Sequence, residues 1–384
     1  MAGDDESSAT PPVAADRLGL GAISRALAER PTRRFIWASL LLVFATHLGL
    51  WVIAARQQAL PLISAFARFD TGWYLSIVDR GYSGMAWAFY PLWPVLVAYV
   101  AALLPVSTPV TMVLLATALF LMCVALIFTD PKQVGRLAPE TRLGWLVFLC
   151  WPASYVFHTG HTESLFMLLS LGAFALVARG AWIGAAVLAG LCALTRNQGV
   201  LVALTVGLWA AYDAPPRRRL PRLLAVGAIS GALYGLYPLH QYLVTGDPFL
   251  SSKILADKTQ TEWKVAQGWQ DWVTTALLGN SRTLRYEGYR HPSFVLLLGA
   301  CFFYLRERKP PILVGYFFLS LIVLLPQGSL TNLYRYTLVL APLLFFLGDW
   351  FARRRAFWPI ALLAWILFLH VRLTWRFPLG QWAY

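Results

Sequence analysis

Residues 35–55 read FIWASLLLVFATHLGLWVIAA. An uncharged apolar run of about 20 residues is long enough to cross a bilayer's hydrocarbon core as one helix. It follows a long polar leader and has no small-residue cleavage pattern, so it reads as a signal-anchor rather than a cleaved signal peptide. Ahead of it, residues 1–34 are rich in Ala, Asp, Ser and Pro up to the basic pair Arg33-Arg34. They read as a mobile cytoplasmic leader.

Further apolar segments follow at about 89–105, 109–128, 143–157, 164–178, 181–195, 199–212, 223–244, 292–306, 311–326, 336–350 and 357–371. The whole chain of 384 residues is 58% apolar and only 13% charged, with a mean hydropathy of +0.59. A soluble domain carries roughly 25% charged residues, so too few charges remain here to cover a water-exposed surface. The composition describes a polytopic membrane protein.

The net charge of +14 comes from 32 Lys+Arg against 18 Asp+Glu. These cations gather in short runs between apolar segments: Arg217-Arg218-Arg219, Arg306 to Lys309 and Arg353-Arg354-Arg355. That is the pattern of the positive-inside rule, not of nucleic-acid binding. With the N-terminus cytoplasmic, the loops at 130–142 (Lys132, Arg136, Arg142), 215–222, 306–310 and 353–355 are cytoplasmic too. The parity holds if 89–105 does not cross, and its opening Phe89-Tyr90-Pro91-Leu92-Trp93-Pro94 suits a helix that dips in or lies flat. The expected fold is an all-α bundle of about eleven transmembrane helices, with re-entrant or in-plane helices in the first outer loop. Residues 35–384 form one domain. It carries an outer loop at 56–88 and a long outer loop at 245–291. No solenoid period or inverted repeat is visible.

The four cysteines (Cys123, Cys150, Cys192, Cys301) lie inside apolar stretches without a CxxC, and read as small core residues. His158 and His161 are the only close pair among six histidines. They lack a third ligand at fixed spacing, so no metal site is expected. The outer face collects the polar residues. Arg68-Phe69-Asp70-Thr71-Gly72-Trp73-Tyr74 places a carboxylate among aromatics, where lowered dielectric can raise its pKa and suit it to general-base work. An interfacial aromatic belt with a solvated Asp is the plain alternative. Glu163 follows His158-Thr159-Gly160-His161-Thr162 at the head of an apolar segment, where it serves either the helix dipole or a function.

Thr195-Arg196-Asn197-Gln198-Gly199 puts a cation where an anion must meet it: a phosphate, a ligand carboxylate, or Asp70 or Glu163 as a structural partner. Thr245-Gly246-Asp247-Pro248-Phe249 is a turn. It opens a loop containing Trp263, Trp269 and Trp272 that suits an amphipathic cover. Arg335, in Asn332-Leu333-Tyr334-Arg335-Tyr336, can contact phosphate or snorkel to headgroups. No P-loop or Gly-rich nucleotide fingerprint occurs. Two carboxylates and two arginines on one face suit a lipid-phosphate substrate that needs a base and a cationic clamp.

Arg68-Phe69-Asp70 with Trp73-Tyr74 and Gly81-Tyr82, and then Phe89 to Pro94, resembles the first outer loop of the PIG-V-type mannosyltransferases. These belong to the C superfamily of membrane glycosyltransferases (GT-C). Glu163 to Phe166, Thr195-Arg196 with Gly199, Thr245 to Pro248 and Tyr334-Arg335-Tyr336 resemble further motifs of that family in the same order, over about residues 30–350. The family commonly has Trp where this chain has Phe69.

The resemblance implies a GT-C bundle with a site at its outer face. The donor would be a polyprenyl-phosphate hexose, typically dolichyl- or undecaprenyl-phosphate mannose. Transfer would be inverting, without metal or other cofactor, and Asp70 would be the general base. Arg196 and Arg335 would bind the donor phosphate. Arg68, Tyr74, Tyr90, His161, Glu163, Asn197 and Asp247 would contact substrate. The leader and short loops look bacterial. A bacterial relative would act on a cell-envelope lipid, glycan or protein at the outer side of the inner membrane; a eukaryotic one would act in the endoplasmic reticulum lumen on a glycosylphosphatidylinositol precursor. The competing readings are a transporter or flippase of polyprenyl-linked sugar and a non-catalytic membrane scaffold subunit.

Overall fold

A computed structural model describes residues 19–129, 137–259, 288–307, 311–325, 330 and 332–383. Every regular element among them is helical. In chain order these are α1 (Leu20–Ala28), α2 (Arg33–Gln57), α3 (Leu62–Phe66), α4 (Asp70–Arg80), α5 (Leu92–Leu103), α6 (Thr108–Thr129), α7 (Arg142–Leu149), α8 (Glu163–Ala178) and α9 (Trp182–Ala193). They continue with α10 (Gly199–Tyr212), α11 (Pro216–Thr245), α12 (Leu250–Thr259), α13 (Arg290–Arg306), α14 (Pro311–Ile322), α15 (Leu333–Leu338), α16 (Ala341–Ala352) and α17 (Phe357–Arg376). Short 3-10 turns lie at Gly84–Ala88 and Ser154–His158.

Four of these, α2, α6, α11 and α17, are long and apolar enough to cross a membrane. Six shorter apolar helices accompany them. Hydrophobic side chains such as Leu41, Leu42, Leu103 and Leu243 lie on the outside, where lipid rather than water suits them. The chain is an α-helical membrane protein.

Several elements depart from the sequence expectation. The segment 143–157 is not one helix. α7 stops at Leu149 and a 3-10 turn follows; Pro152 supplies no amide proton and biases Trp151 away from helical backbone. The segment 336–350 breaks between α15 and α16. Pro342, in the first turn of α16, would clash with the carbonyl of Leu338 in a continuous helix. The expected mobile leader is corrected for its second half. α1 buries Ser24 and Leu27, and Glu29 pairs with Arg142 at 2.8 Å while its carbonyl accepts from the Arg142 amide. Residues 1–18 lie outside the described residues. So do Trp263, Trp269 and Trp272, and Lys132 and Arg136.

α7 and α16 run antiparallel in the core. The Asp349 carboxylate accepts from the amides of Glu140 (2.9 Å) and Thr141 (2.8 Å) and from Thr141 Oγ1 (2.7 Å). It therefore satisfies amide donors at the start of α7 that have no partner within that helix. Arg353 ties Glu140 to Glu307 just beyond. This is one end of the bundle; the opposite ends of the same helices lead to the 154–163 loop and to α15. The bundle's first and last long helices meet through His47 Nε2 and His370 Nε2 (2.9 Å) and through Trp51 Nε1, which donates to the Thr374 carbonyl (3.0 Å).

Candidate functional site

Four short stretches converge at that opposite end: the start of α4, the start of α8, the α9–α10 turn and α15. Each contributes one charge. Arg335 is central. Its Nη1 meets Asp70 Oδ2 at 2.5 Å, and its Nε donates to Glu163 Oε1. Arg196 Nη1 binds the same Oε1 and leans on Thr162 Oγ1 at 3.4 Å. Its guanidinium also lies over the Tyr336 ring at 5.1 Å. Glu163 is fully buried, and Arg196 and Arg335 are almost so; the Asp70 side chain keeps 30% of its surface exposed. Two carboxylates thus balance two guanidiniums, with the partly open end at Asp70. Breaking such a buried pair on one side costs about 3–5 kcal/mol, because the remaining charge is stranded.

One oxygen departs from this closure. Glu163 Oε2 is buried and has no hydrogen-bond partner among the described residues, while Oε1 takes both arginines. A buried acceptor left unsatisfied costs about 1–3 kcal/mol, and in a native site it calls for an explanation. It suits a ligand hydroxyl as donor.

Tight loops set these positions. Gly160 lets the 158–163 loop close on α4. A Cβ there would collide with Thr71 Cγ2 and come within 3.0 Å of Met112 Cε. His161, fully buried, then shares its Nδ1 between Thr159 Oγ1 (2.6 Å) and Thr71 Oγ1 (3.3 Å). Trp93 Nε1 donates to the Gly160 carbonyl at 2.9 Å, so the Tyr90-Pro91-Leu92-Trp93-Pro94 stretch braces the same loop.

Asp70 follows a strained residue. Arg68 to Thr71 form a turn closed by the Thr71 amide on the Arg68 carbonyl at 3.3 Å. Phe69 sits in it at φ 55°, ψ −121°. These angles belong to the first central position of a type II′ turn, which glycine normally fills. For a side chain with a Cβ the conformation costs about 1–3 kcal/mol, and such residues cluster at functional sites.

Electrostatics follow the geometry. Burial pushes the Asp70 carboxyl upward, but Arg335, aided by His161, outweighs it and holds the group below its ordinary value. Burial first, and then the Arg335 charge, push the His161 imidazole down to about 4, so it is neutral at physiological pH. Burial and the Asp70 charge push the Tyr74 phenol upward, which makes it a donor and not a base.

The remaining expected residues fall elsewhere. Arg68 points away from the cluster: its Nε and Nη2 donate to the Pro378 carbonyl (3.1 and 2.8 Å) and Nη2 also to Gln58 Oε1 (3.0 Å). Tyr90 packs among Tyr234 and Tyr237. Asn197 is exposed. Asp247 closes a local turn with the Phe249 amide and pairs with Lys253 at 2.6 Å. Arg335 does not snorkel outward, and Arg196 takes Glu163, one of the two structural partners weighed for it. No group of three His, Cys, Asp or Glu side chains with metal-binding geometry occurs among the described residues. Sequence reasoning missed Thr71, the Phe69 backbone and the Pro378 carbonyl; a backbone acceptor leaves no residue-type signal.

Comparison with protein-family models, with curated proteins and with solved structures finds no match to this chain.

Proposed function

We propose that the chain is an inverting glycosyltransferase of GT-C type. It moves a hexose, with mannose the expected sugar, from a polyprenyl-phosphate donor to a lipid, glycan or protein acceptor on the outer face of the membrane. The observation that carries this reading is the convergence of Asp70, Glu163, Arg196 and Arg335 into one charge-balanced cluster whose exposed end is Asp70. Topology supports the side. The basic residues Arg353 and Arg142 lie at the ends of α16 and α7 away from the cluster, as an eleven-crossing bundle with cytoplasmic basic loops requires.

In this proposal the acceptor hydroxyl attacks the anomeric carbon while Asp70 takes its proton. The bond from that carbon to the phosphate oxygen breaks, and polyprenyl phosphate leaves with a second negative charge. Arg335 and Arg196 stabilise that charge. The resting pair makes Asp70 a weak base, since Arg335 holds its carboxyl low. A donor phosphate competing for Arg335 removes the main counterweight to burial at Asp70, and so strengthens the base only when donor is bound. Glu163 Oε2 accepts a sugar hydroxyl while Oε1 keeps both arginines aimed. No metal or other cofactor enters this proposal.

The test is turnover of radiolabelled polyprenyl-phosphate mannose by the protein in nanodiscs supplied with a membrane-lipid extract. Asp70→Asn should abolish release of polyprenyl phosphate, a loss of at least about 100-fold for a missing base. Near-normal transfer by that variant would remove Asp70 from the role. A mutually closed set of two carboxylates and two guanidiniums is also what a purely structural lock would show. Tight donor binding without turnover in any extract would therefore favour the transporter or scaffold readings.

A further inference from the structure

The C-terminal segment following α17 wraps over the Asp70 turn, and the proposed chemistry makes no use of it. Arg68 donates twice to the Pro378 carbonyl, which also accepts from Gln58 Nε2 at 3.4 Å. The Phe69 ring lies between Phe377 (centroids 5.6 Å, 46° between planes) and Trp382 (5.6 Å, 79°). Tyr155 donates to the Ala383 carbonyl at 2.5 Å and packs on Phe377, whose ring also meets His161 at 5.8 Å. The segment is therefore tied to the C-terminal end of α2, to the 154–163 loop and to Arg68 and Phe69, which precede Asp70.

We infer that residues 377–383 act as a clamp and Phe69 as its handle, together holding the Arg68–Thr71 turn in a conformation its sequence disfavours and so seating Asp70 against Arg335. Left to itself, a Phe at positive φ relaxes toward ordinary extended or helical backbone. Relaxation would swing the next residue off the start of α4, away from Arg335. The two aromatic contacts on the ring and the two Arg68 hydrogen bonds act on the residues flanking the strained bond, where opposing that relaxation is most effective. Phe69 touches no reacting atom in this scheme; it is a positioning residue. The catalytic consequence rests on the proposed glycosyltransferase reading, but the positioning itself does not.

The two parts separate by experiment. Phe69→Gly removes the ring but accepts the backbone angles freely; Phe69→Ala removes the ring and keeps the Cβ penalty. A residue at ordinary backbone angles would leave Gly the less stable of the two, because glycine has more backbone freedom to lose. The positive φ of Phe69 predicts the reverse order of thermal midpoints in one detergent, which tests the strained turn, while the coupling to Asp70 tests the clamp. A double-mutant cycle then reads positioning without any activity. The midpoint shift caused by Asp70→Asn should shrink in the Phe69→Ala background and persist in Phe69→Gly. Additive shifts in both backgrounds, or Ala outlasting Gly, would overturn the inference. If wild type transfers sugar, Phe69→Ala should lower kcat by about tenfold or more with donor KM little changed, and Phe69→Gly by less. Equal kcat in the two variants would count against the clamp. A wild type without turnover would sink the transferase reading alone, since the cycle still decides the clamp.

Discussion

Arg335 is held by two carboxylates of unequal freedom: Glu163, fully buried, and Asp70, partly open. Its removal separates two influences on Asp70 that now oppose each other. In Arg335→Gln, burial acts without its main counterweight, so the Asp70 carboxyl rises. On the proposed reading, the acidic limb of the kcat/KM profile should then move to higher pH, whereas in wild type it should lie below the ordinary carboxylate value. The same linkage governs stability. A carboxyl held lower in the folded state than in the unfolded one stabilises the fold above its ordinary value of 3.8. That contribution disappears as pH falls through the folded value. Loss of one charge-stabilising donor should also lower kcat by about 100–1,000-fold. A limb that stays in place or moves down in Arg335→Gln would show that the titrating base is not Asp70 under Arg335.

At the scale of elements, α7 and α16 approach backbone to backbone beside Asp349, at Gly144 and Gly348. A Cβ on Gly348 would meet Gly144 Cα at 2.6 Å, Gly144 N at 2.7 Å and Leu143 O at 2.7 Å. All three are backbone atoms that no rotamer change can move. Gly348→Ala should cost about 1–3 kcal/mol of stability by overpacking. Gly227 in α11 has nothing within 4 Å of such a Cβ. Gly227→Ala should therefore be neutral or stabilising by up to about 1 kcal/mol through helix propensity alone. Thermal denaturation of both variants in one detergent checks the contrast, and equal shifts would contradict the close crossing. α16 also follows α15, which carries Arg335, so this crossing contributes to the placement of the cluster.

Across the whole molecule, α2 and α17 close the bundle by joining its two ends in sequence. The His47–His370 hydrogen bond and the Trp51–Thr374 bond span 323 positions each. Both histidines are buried among aromatic rings, with Trp51 stacked on His47. His370→Ala leaves His47 Nε2 without its partner, a loss of about 1–3 kcal/mol. His47→Ala combined with His370→Ala should cost less than the sum of the single changes, because the two share one bond. Strictly additive denaturation shifts would contradict the contact. α17 leads directly into the 377–383 segment, so on the proposed reading loosening this closure should also lower transfer, with the Phe69 variants as the reference for the size of that effect.

The membrane class was legible in residues 35–55 and in the scarcity of charge, because hydrophobic length and solvation are properties of composition and order alone. Asp70, Glu163, Arg196 and Arg335 stood out for the same reason: a charge beside an apolar span is costly wherever the chain takes it. That they share one face, and that Arg196 could take Glu163, was legible; the pairing of Arg335 with both carboxylates was not, since Asp70 and Arg335 lie 265 positions apart and nothing in their local sequence specifies each other. Pro152 and Pro342 show the limit within elements. Each is visible as a helix breaker, yet hydropathy runs through both and hides the break. The clamp was hidden most completely. Its acceptors are the carbonyls of Pro378 and Ala383, and the angles at Phe69 contradict that residue's own preference. Composition and order determined that this chain enters a membrane and which residues are costly there. Only the tertiary structure decided which charges offset one another and which backbone is held away from its local minimum, because both are settled by contacts between distant parts of the chain.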